Sequence, residues 1–340
     1  MPERRDYCPE PSTEKPKLVV VVDTEEQFDW SKPFSRTRTD VSHMRHIGRV
    51  QEVFDKYGIV PTYVITHTVA SQSDGYSPLR EIYDDHRCLI GAHVHPWSTP
   101  PFEEAVNGYN SFMGNLPLEL EQEKLETITE SIAESFGTRP IIYKAGRYGI
   151  GPNTSSILTK LGYSIDMSVC PFMDYSIEGG PDFSHYSPRP YWFGANRELL
   201  EIPLTAGFEG ILRQWAPSIY PTLNSPIFRS AHIPGIMARS GFLNRAWLSP
   251  EGYTAEEQIR LVRSLYLDGL RTFCLAFHSP SVEPGNTPYV KSTHELDRFI
   301  ARICRFLEFF MEKLTGIPST PVQVRNDLLQ LKPTHNSGVQ

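Results

Sequence analysis

Four short stretches of the 340-residue chain gather side chains suited to metal binding and proton transfer. They are Asp23-Thr24-Glu25-Glu26, His93-Val94-His95, Lys144-Ala145-Gly146-Arg147-Tyr148 and His278-Ser279. In an extended segment residues i and i+2 point the same way. Asp23 and Glu25 therefore face together, as do His93 and His95. One carboxylate and two imidazoles can hold Zn²⁺ or a similar ion while leaving positions open for water and substrate. The remaining carboxylate then lies close to such a water and can take its proton. Each motif alone also has a plain structural reading. A histidine pair can be a hydrogen-bonded prop, Lys144 and Arg147 can be salt-bridge partners, and His278 can be a satisfied histidine beneath a loop.

The elements around these stretches favour the chemical reading. Each stretch follows an apolar run of strand type: KLVVVVD at 17–23, RCLIGAH at 87–93, PIIYKA at 140–145 and RTFCLAF at 271–277. Further strands fit VPTYVIT at 60–66, YSIDMSV at 163–169 and LLEIP at 199–203. Four consecutive valines indicate a strand covered on both faces, as in a parallel sheet. Helical periodicity fits 43–57 up to Gly58, 117–136 up to Gly137, and 152–161. Thr254 with Glu257 forms a capping box opening a helix to Asp268, and Ser292 with Glu295 opens another through 294–314. Seven strands with helices between them predict an α/β fold with a parallel sheet, open or closed into a barrel. In such folds sites form at the C-terminal ends of strands, where all four stretches lie.

Residues 1–16 read as a loose arm, 17–316 as one domain with a loop-rich insertion at about 170–250, and 317–340 as a tail. A net charge of −7 and a pI near 5.9 argue against nucleic acid as the main partner. No apolar run reaches the roughly 20 residues of a transmembrane helix. The N-terminal residues lack the apolar core of a signal peptide, so the expected location is the cytoplasm. Five scattered cysteines without a C-x-x-C pair read as thiols in a reducing compartment. The sequence leaves the oligomeric state open.

These motifs, in order along about 17–285, resemble the polysaccharide deacetylases with a NodB homology domain. VVVVDTEE resembles the first motif, Gly91-Ala92-His93-Val94-His95 the second, YKAGRYG at 143–149 the third and LAFH at 275–278 the fifth. GAHVHPWSTPP, AGRYGIGPNT and FHSPSVEPGNTPYV are similar to a bacterial, WalW-like branch. The resemblance implies a distorted (β/α)7 barrel and a divalent metal, Zn²⁺ first and Co²⁺, Ni²⁺ or Mn²⁺ as alternatives. It implies removal of an acyl group from an N-acylated sugar or glycan. It implies Asp23 as base and Glu25 and His93 as metal ligands, with His95 reaching the metal from a different place or the metal held by fewer protein ligands. The cycle expected from it has His278 as acid, Lys144 or Arg147 as the partner of Asp23, and the Tyr148 N–H as an oxyanion donor. The sequence departs from the pattern in three places. Trp97 stands where the family's second histidine is usual, Lys144 where the arginine is, and Ser279 where an acidic residue often follows the last histidine. The fourth motif is not clear, and Asp166 is a possible partner for His278. Trp97, Phe102, Tyr109, Tyr148, Tyr191, Trp192 and Trp215 are candidates for a sugar groove. Two other readings stand beside this one: hydrolysis of a non-sugar amide, and a metal-free carbohydrate-binding or scaffold protein on a decayed barrel.

Overall fold

The computed structural model describes residues 6–28, 31–223, 225–230 and 232–331. Its strands are β1 (Lys17–Thr24), β2 (Thr62–Ile65), β3 (Leu89–Val94), β4 (Ile142–Ala145), β5 (Ile165–Asp166), β6 (Tyr191–Phe193), β7 (Leu199–Glu201), β8 (Ala206–Glu209), β9 (Asn244–Trp247), β10 (Thr272–His278) and β11 (Ile317–Pro318). The main sheet runs β10-β1-β2-β3-β4-β5-β7-β6, and β11 pairs with the start of β1. The seven strands expected from the sequence are all present and all parallel; only β6 on the edge runs antiparallel. The sheet curls into a half-barrel. Between β7 and β10 single hydrogen bonds bridge the gap: Thr205 N–H to the Cys274 carbonyl at 3.4 Å, and Ala276 N–H to the Leu248 carbonyl at 3.1 Å.

Alternation along the strands sorts residues to two faces. Val19 and Val21 of β1 pack inside the curl with Val64, Ile142, Ile165, Leu200 and Cys274. Leu18, Val20 and Val22 face the helices, against Phe54, Leu125, Phe273 and Phe299 among others. Asp23 continues the inward series of β1. This parity delivers a carboxylate to the mouth of the curl.

The helices at Gly48–Lys56, Leu118–Phe136, Thr154–Leu161, Ala255–Leu267 and Thr293–Glu308 lie where periodicity places them. Gly137 ends the second in the left-handed conformation, and the Thr254–Glu257 capping box is formed. Other expectations are corrected. The segment after 317 is not a bare tail: Pro321–Gln330 is a helix with Val324 and Leu328 buried, and 332–340 lie outside the described residues. Of the expected arm, 1–5 lie outside the described residues, while Cys8 is buried and its N–H bonds the Pro190 carbonyl at 2.8 Å. The stretch 170–250 holds β6 to β9 and three short helices rather than loops alone. All five cysteines are free thiols, four of them buried.

Candidate active site

Strand register brings the four stretches to one place. Asp23 of β1 is level with His278 of β10, and His93 of β3 is level with Lys144 of β4. Together with Glu25 and His95 they line a cavity of about 420 Å³ at the C-terminal ends of the strands. Asp23, Glu25, His93, His95 and Lys144 are all buried.

Glu25, His93 and His95 converge. Glu25 Oε2 lies 3.7 Å from His93 Nε2 and 3.3 Å from His95 Nε2. One ligand atom from each lies within 4.8 Å of the others. The outer nitrogens are spoken for. His93 Nδ1 donates to the Lys144 carbonyl at 2.9 Å, and His95 Nδ1 donates to Glu26 Oε1 at 2.9 Å. Both Nε2 atoms are thereby turned toward Glu25. Such outer hydrogen bonds fix the tautomer and orientation of metal-binding histidines. Glu25 Oε1 is buried with no hydrogen-bond partner, which costs stability unless a cation or another donor satisfies it. This donor set fits a divalent ion of the zinc type.

The spacing of His95 differs from the family pattern, and its surroundings show how it still reaches the cavity. Gly146 packs against it: a Cβ there would sit 2.5 Å from His95 Cδ2. Trp97, at the position where the family's second histidine is usual, stacks on the His95 ring with centroids 4.4 Å apart. Lys124 holds the following turn by donating to the carbonyls of Pro96, Thr99 and Pro101 at 2.9, 2.6 and 2.6 Å.

The Asp23 partner is resolved in favour of Lys144. Its Nζ donates to both carboxylate oxygens, at 2.6 and 2.5 Å. Arg147 instead donates to Ser111 and Glu178 and stacks on Phe112, with its guanidinium carbon 4.2 Å from the ring centre. It lines the cavity without an ion pair to Asp23. Tyr148 also lines the cavity, and its ring lies 5.6 Å from Lys144 Nζ. Both Arg147 and Tyr148 adopt left-handed backbone conformations, φ 53° and 61°, which turn the chain sharply as it leaves β4.

Several partnerships at the site are not given by the motifs, although Glu26 and Ser279 stand within them. Glu251, after β9, accepts from His278 Nδ1 at 2.7 Å and from its backbone N–H at 3.2 Å. Asp166 is therefore not the partner of His278; it bonds Ser168 on β5's exit. Glu26 holds His95 and accepts in turn from Thr68 at 2.6 Å. Gln27 donates to His43 Nδ1 at 3.3 Å, so His43 Nε2 donates to Ser279 Oγ at 2.9 Å; Ser279 also accepts the Glu25 N–H at 3.2 Å. Of the aromatic candidates, Trp97 and Tyr148 line the cavity and the other five do not; Phe28, Phe34, Tyr175, Trp247 and Tyr289 do.

The electrostatics follow from this packing. Burial alone would raise the Asp23 pKa, but Lys144, His93 and His278 outweigh it and hold the carboxyl below its ordinary range. Glu25 is likewise pushed up by burial and pulled well below the carboxylate range by His278, His93 and His95. Burial would lower His95, yet Glu26 and Glu25 raise it to about 10. His278 is lowered by burial and raised more by Glu251, Glu25 and Asp23, to about 9. Burial takes His43 down to about 4, so it is neutral.

No family model and no curated protein matches the sequence. Solved structures do. A protein named as a polysaccharide deacetylase from Mycobacterium smegmatis superposes with a TM-score of 0.55 at 15% identity, over 97% of this chain and 96% of that one. A second so named, from Pseudomonas aeruginosa PAO1, gives 0.51 at 14% identity over 92% and 89%. The Puue allantoinase gives 0.52 at 13% identity over 98% and 99%. The chain thus has the distorted (β/α) barrel fold of the polysaccharide deacetylases.

Proposed function

We propose that this protein hydrolyses the amide of an N-acylated sugar, with a divalent metal held by Glu25, His93 and His95. The observation that carries the reading is the convergence of that triad with an Asp23–Lys144 pair and a His278–Glu251 pair on one cavity. When bound, a zinc-type ion supplies Lewis acidity toward a carbonyl and acidifies a water.

The side chains do the rest. Lys144 keeps Asp23 ionised, so Asp23 can take the proton of the attacking water. The water oxygen bonds to the acyl carbon and charge moves onto the acyl oxygen. The Tyr148 N–H is the proposed donor to that oxygen. As the C–N bond breaks, His278, protonated in the field of Glu251, gives its proton to the departing nitrogen. The products are a carboxylic acid and an amino sugar. Tyr148, Tyr175 and Trp247 line the cavity and are the aromatic rings proposed to pack against a sugar.

The test is metal content of the purified protein, wild type against His93→Ala with His95→Ala, followed by release of free amine from a panel of N-acetylated sugars. Near-stoichiometric metal lost in the double variant, with turnover that Asp23→Asn abolishes, supports the reading. No metal after incubation with zinc, cobalt, nickel and manganese would move the assignment to a binding or scaffold protein on this fold. The same fold in a protein named an allantoinase, and a cavity sized for a small molecule, favour a cyclic or simple amide as the second reading. Amine release from such amides, and not from the sugars, would establish it.

A further inference from the structure

Between β8 and β9 the chain leaves the barrel as three short helices, Ala216–Leu223, Pro226–Ser230 and Ile233–Arg239. This insertion is unlike the rest of the molecule in two respects. The first is its outward face. Six of the sixteen exposed large apolar side chains among the described residues fall in 211–242; Trp215 is 60% exposed and Ile227 77%. They are not spare core, because the inner face of the insertion is already packed on buried Phe208, Ala216 and Leu243. The second is charge. From Gly210 to Pro250 there is no Asp or Glu and there are four arginines, in a chain whose net charge is −7. Beside the apolar tips, Arg239, Arg260 and Arg263 line a surface cavity of about 480 Å³, together with Asn244, Ser264 and Glu209. Glu209 is engaged by Arg260 at 3.1 Å and by Asn244 at 2.8 Å.

We infer that this insertion docks the protein on the surface of a bilayer containing anionic lipids. Exposed Trp, Ile and Phe on short helices enter the headgroup boundary, while Arg239 and Arg263 meet phosphates; Arg213 and Arg260 are held by Asp268 and Glu209. The charge selects the partner. A second copy joined through the same face would bring arginines against arginines, which opposes symmetric self-association. No helix among the described residues is long and apolar enough to cross a membrane. This inference does not rest on the hydrolase reading, because none of its residues lines the cavity of the candidate active site.

The experiment is co-sedimentation of the full chain with vesicles of phosphatidylcholine, with and without phosphatidylglycerol, at low and high salt. The expected result is binding to the anionic vesicles that is released by salt. Arg239→Gln should weaken it about fivefold, and Trp215→Ser with Ile236→Ser should weaken it further, both variants keeping the wild-type circular dichroism and metal content. No binding to anionic vesicles overturns the inference. So does equal binding to pure phosphatidylcholine. Sedimentation velocity showing a dimer that Trp215→Ser dissociates, without vesicle binding, would overturn it in favour of a second copy.

Discussion

Replacing Lys144 by methionine tests the electrostatic core of the site. Lys144 Nζ sits 2.6 and 2.5 Å from the two oxygens of Asp23, and both residues are buried, at 1% and 4% exposure. Removing one partner of a buried ion pair leaves the other charge uncompensated, at a cost of about 3–5 kcal/mol. That cost depends on pH in a defined direction. In the wild type the folded-state pKa of Asp23 lies below its ordinary value. The pair therefore contributes stability above the unfolded carboxyl pKa, and the contribution is lost as pH falls through the folded one. In the variant, burial without Lys144 raises the folded pKa above the unfolded value. Asp23 then favours the folded state most when protonated, and the penalty grows as pH rises. The gap between wild type and Lys144→Met should be largest near pH 7 and should narrow toward pH 4, where the variant's penalty is mostly gone while most of the wild-type contribution persists. Urea denaturation of chelator-treated protein at both pH values measures it. Turnover at pH 7 should fall with loss of the base, by about 10²–10⁴. In Asp23→Asn with Lys144→Met the stability losses should be far from additive. A pH-independent gap, or additive losses, would refute the reasoning.

Three further outcomes follow from other contacts. Glu26→Gln removes the charge behind His95 and should weaken zinc binding about 10–100-fold, read by chelator competition; unchanged affinity would leave Glu26 a packing residue only. Glu251→Gln removes the foremost group that raises His278, so the alkaline limb of the kcat–pH profile should move to lower pH; an unmoved limb would take His278 out of the acid role. Glu121 is buried away from the site, and burial lifts its carboxyl from an ordinary 4.5 to about 7. A raised carboxyl pKa favours the folded state most below 4.5 and loses that advantage as pH rises to 7. Glu121→Gln should therefore stabilise by up to about 3 kcal/mol at pH 8 and by little near pH 4; equal denaturation shifts at both pH values would contradict this.

The sheet was legible because its strands are short apolar runs with turn residues between them, and because polar groups break those runs at their C-terminal ends. Parity alone places Asp23 with Glu25 and His93 with His95. Other features depend on contacts between distant segments. Glu251 lies 27 residues before His278 in an irregular stretch, and only the approach of the β9 exit to β10 makes it a partner. Lys144 and Arg147 were equivalent as nearby cations until the turn after β4 swung Arg147 toward Glu178. The helix at Pro321–Gln330 was missed although Thr320 and Gln323 form a capping box, because its apolar positions are few. Its docking against the sheet supplies what local periodicity does not.

The short histidine spacing, the acidic pair Glu25-Glu26 and Trp97 make sense together as a distribution of charge. Asp23, Glu25, Glu26 and Glu251 place four buried carboxylates around one cavity, against one lysine and the imidazoles of His93, His95 and His278. A field of that sign favours any positive charge that can enter it. Protons answer it in part, which is why His95 and His278 are raised to about 10 and 9. A divalent ion at Glu25 answers it more completely and needs the His95 Nε2 lone pair, so metal and proton compete for that nitrogen. His95, two residues from His93 rather than four, comes within reach of Glu26. Trp97 in turn covers His95 with an apolar ring, and water excluded there strengthens every charge interaction beneath it. The short histidine spacing, the doubled acidic residues after β1 and the tryptophan thus form one arrangement, in which changing any one alters the charge that the other two are built to hold.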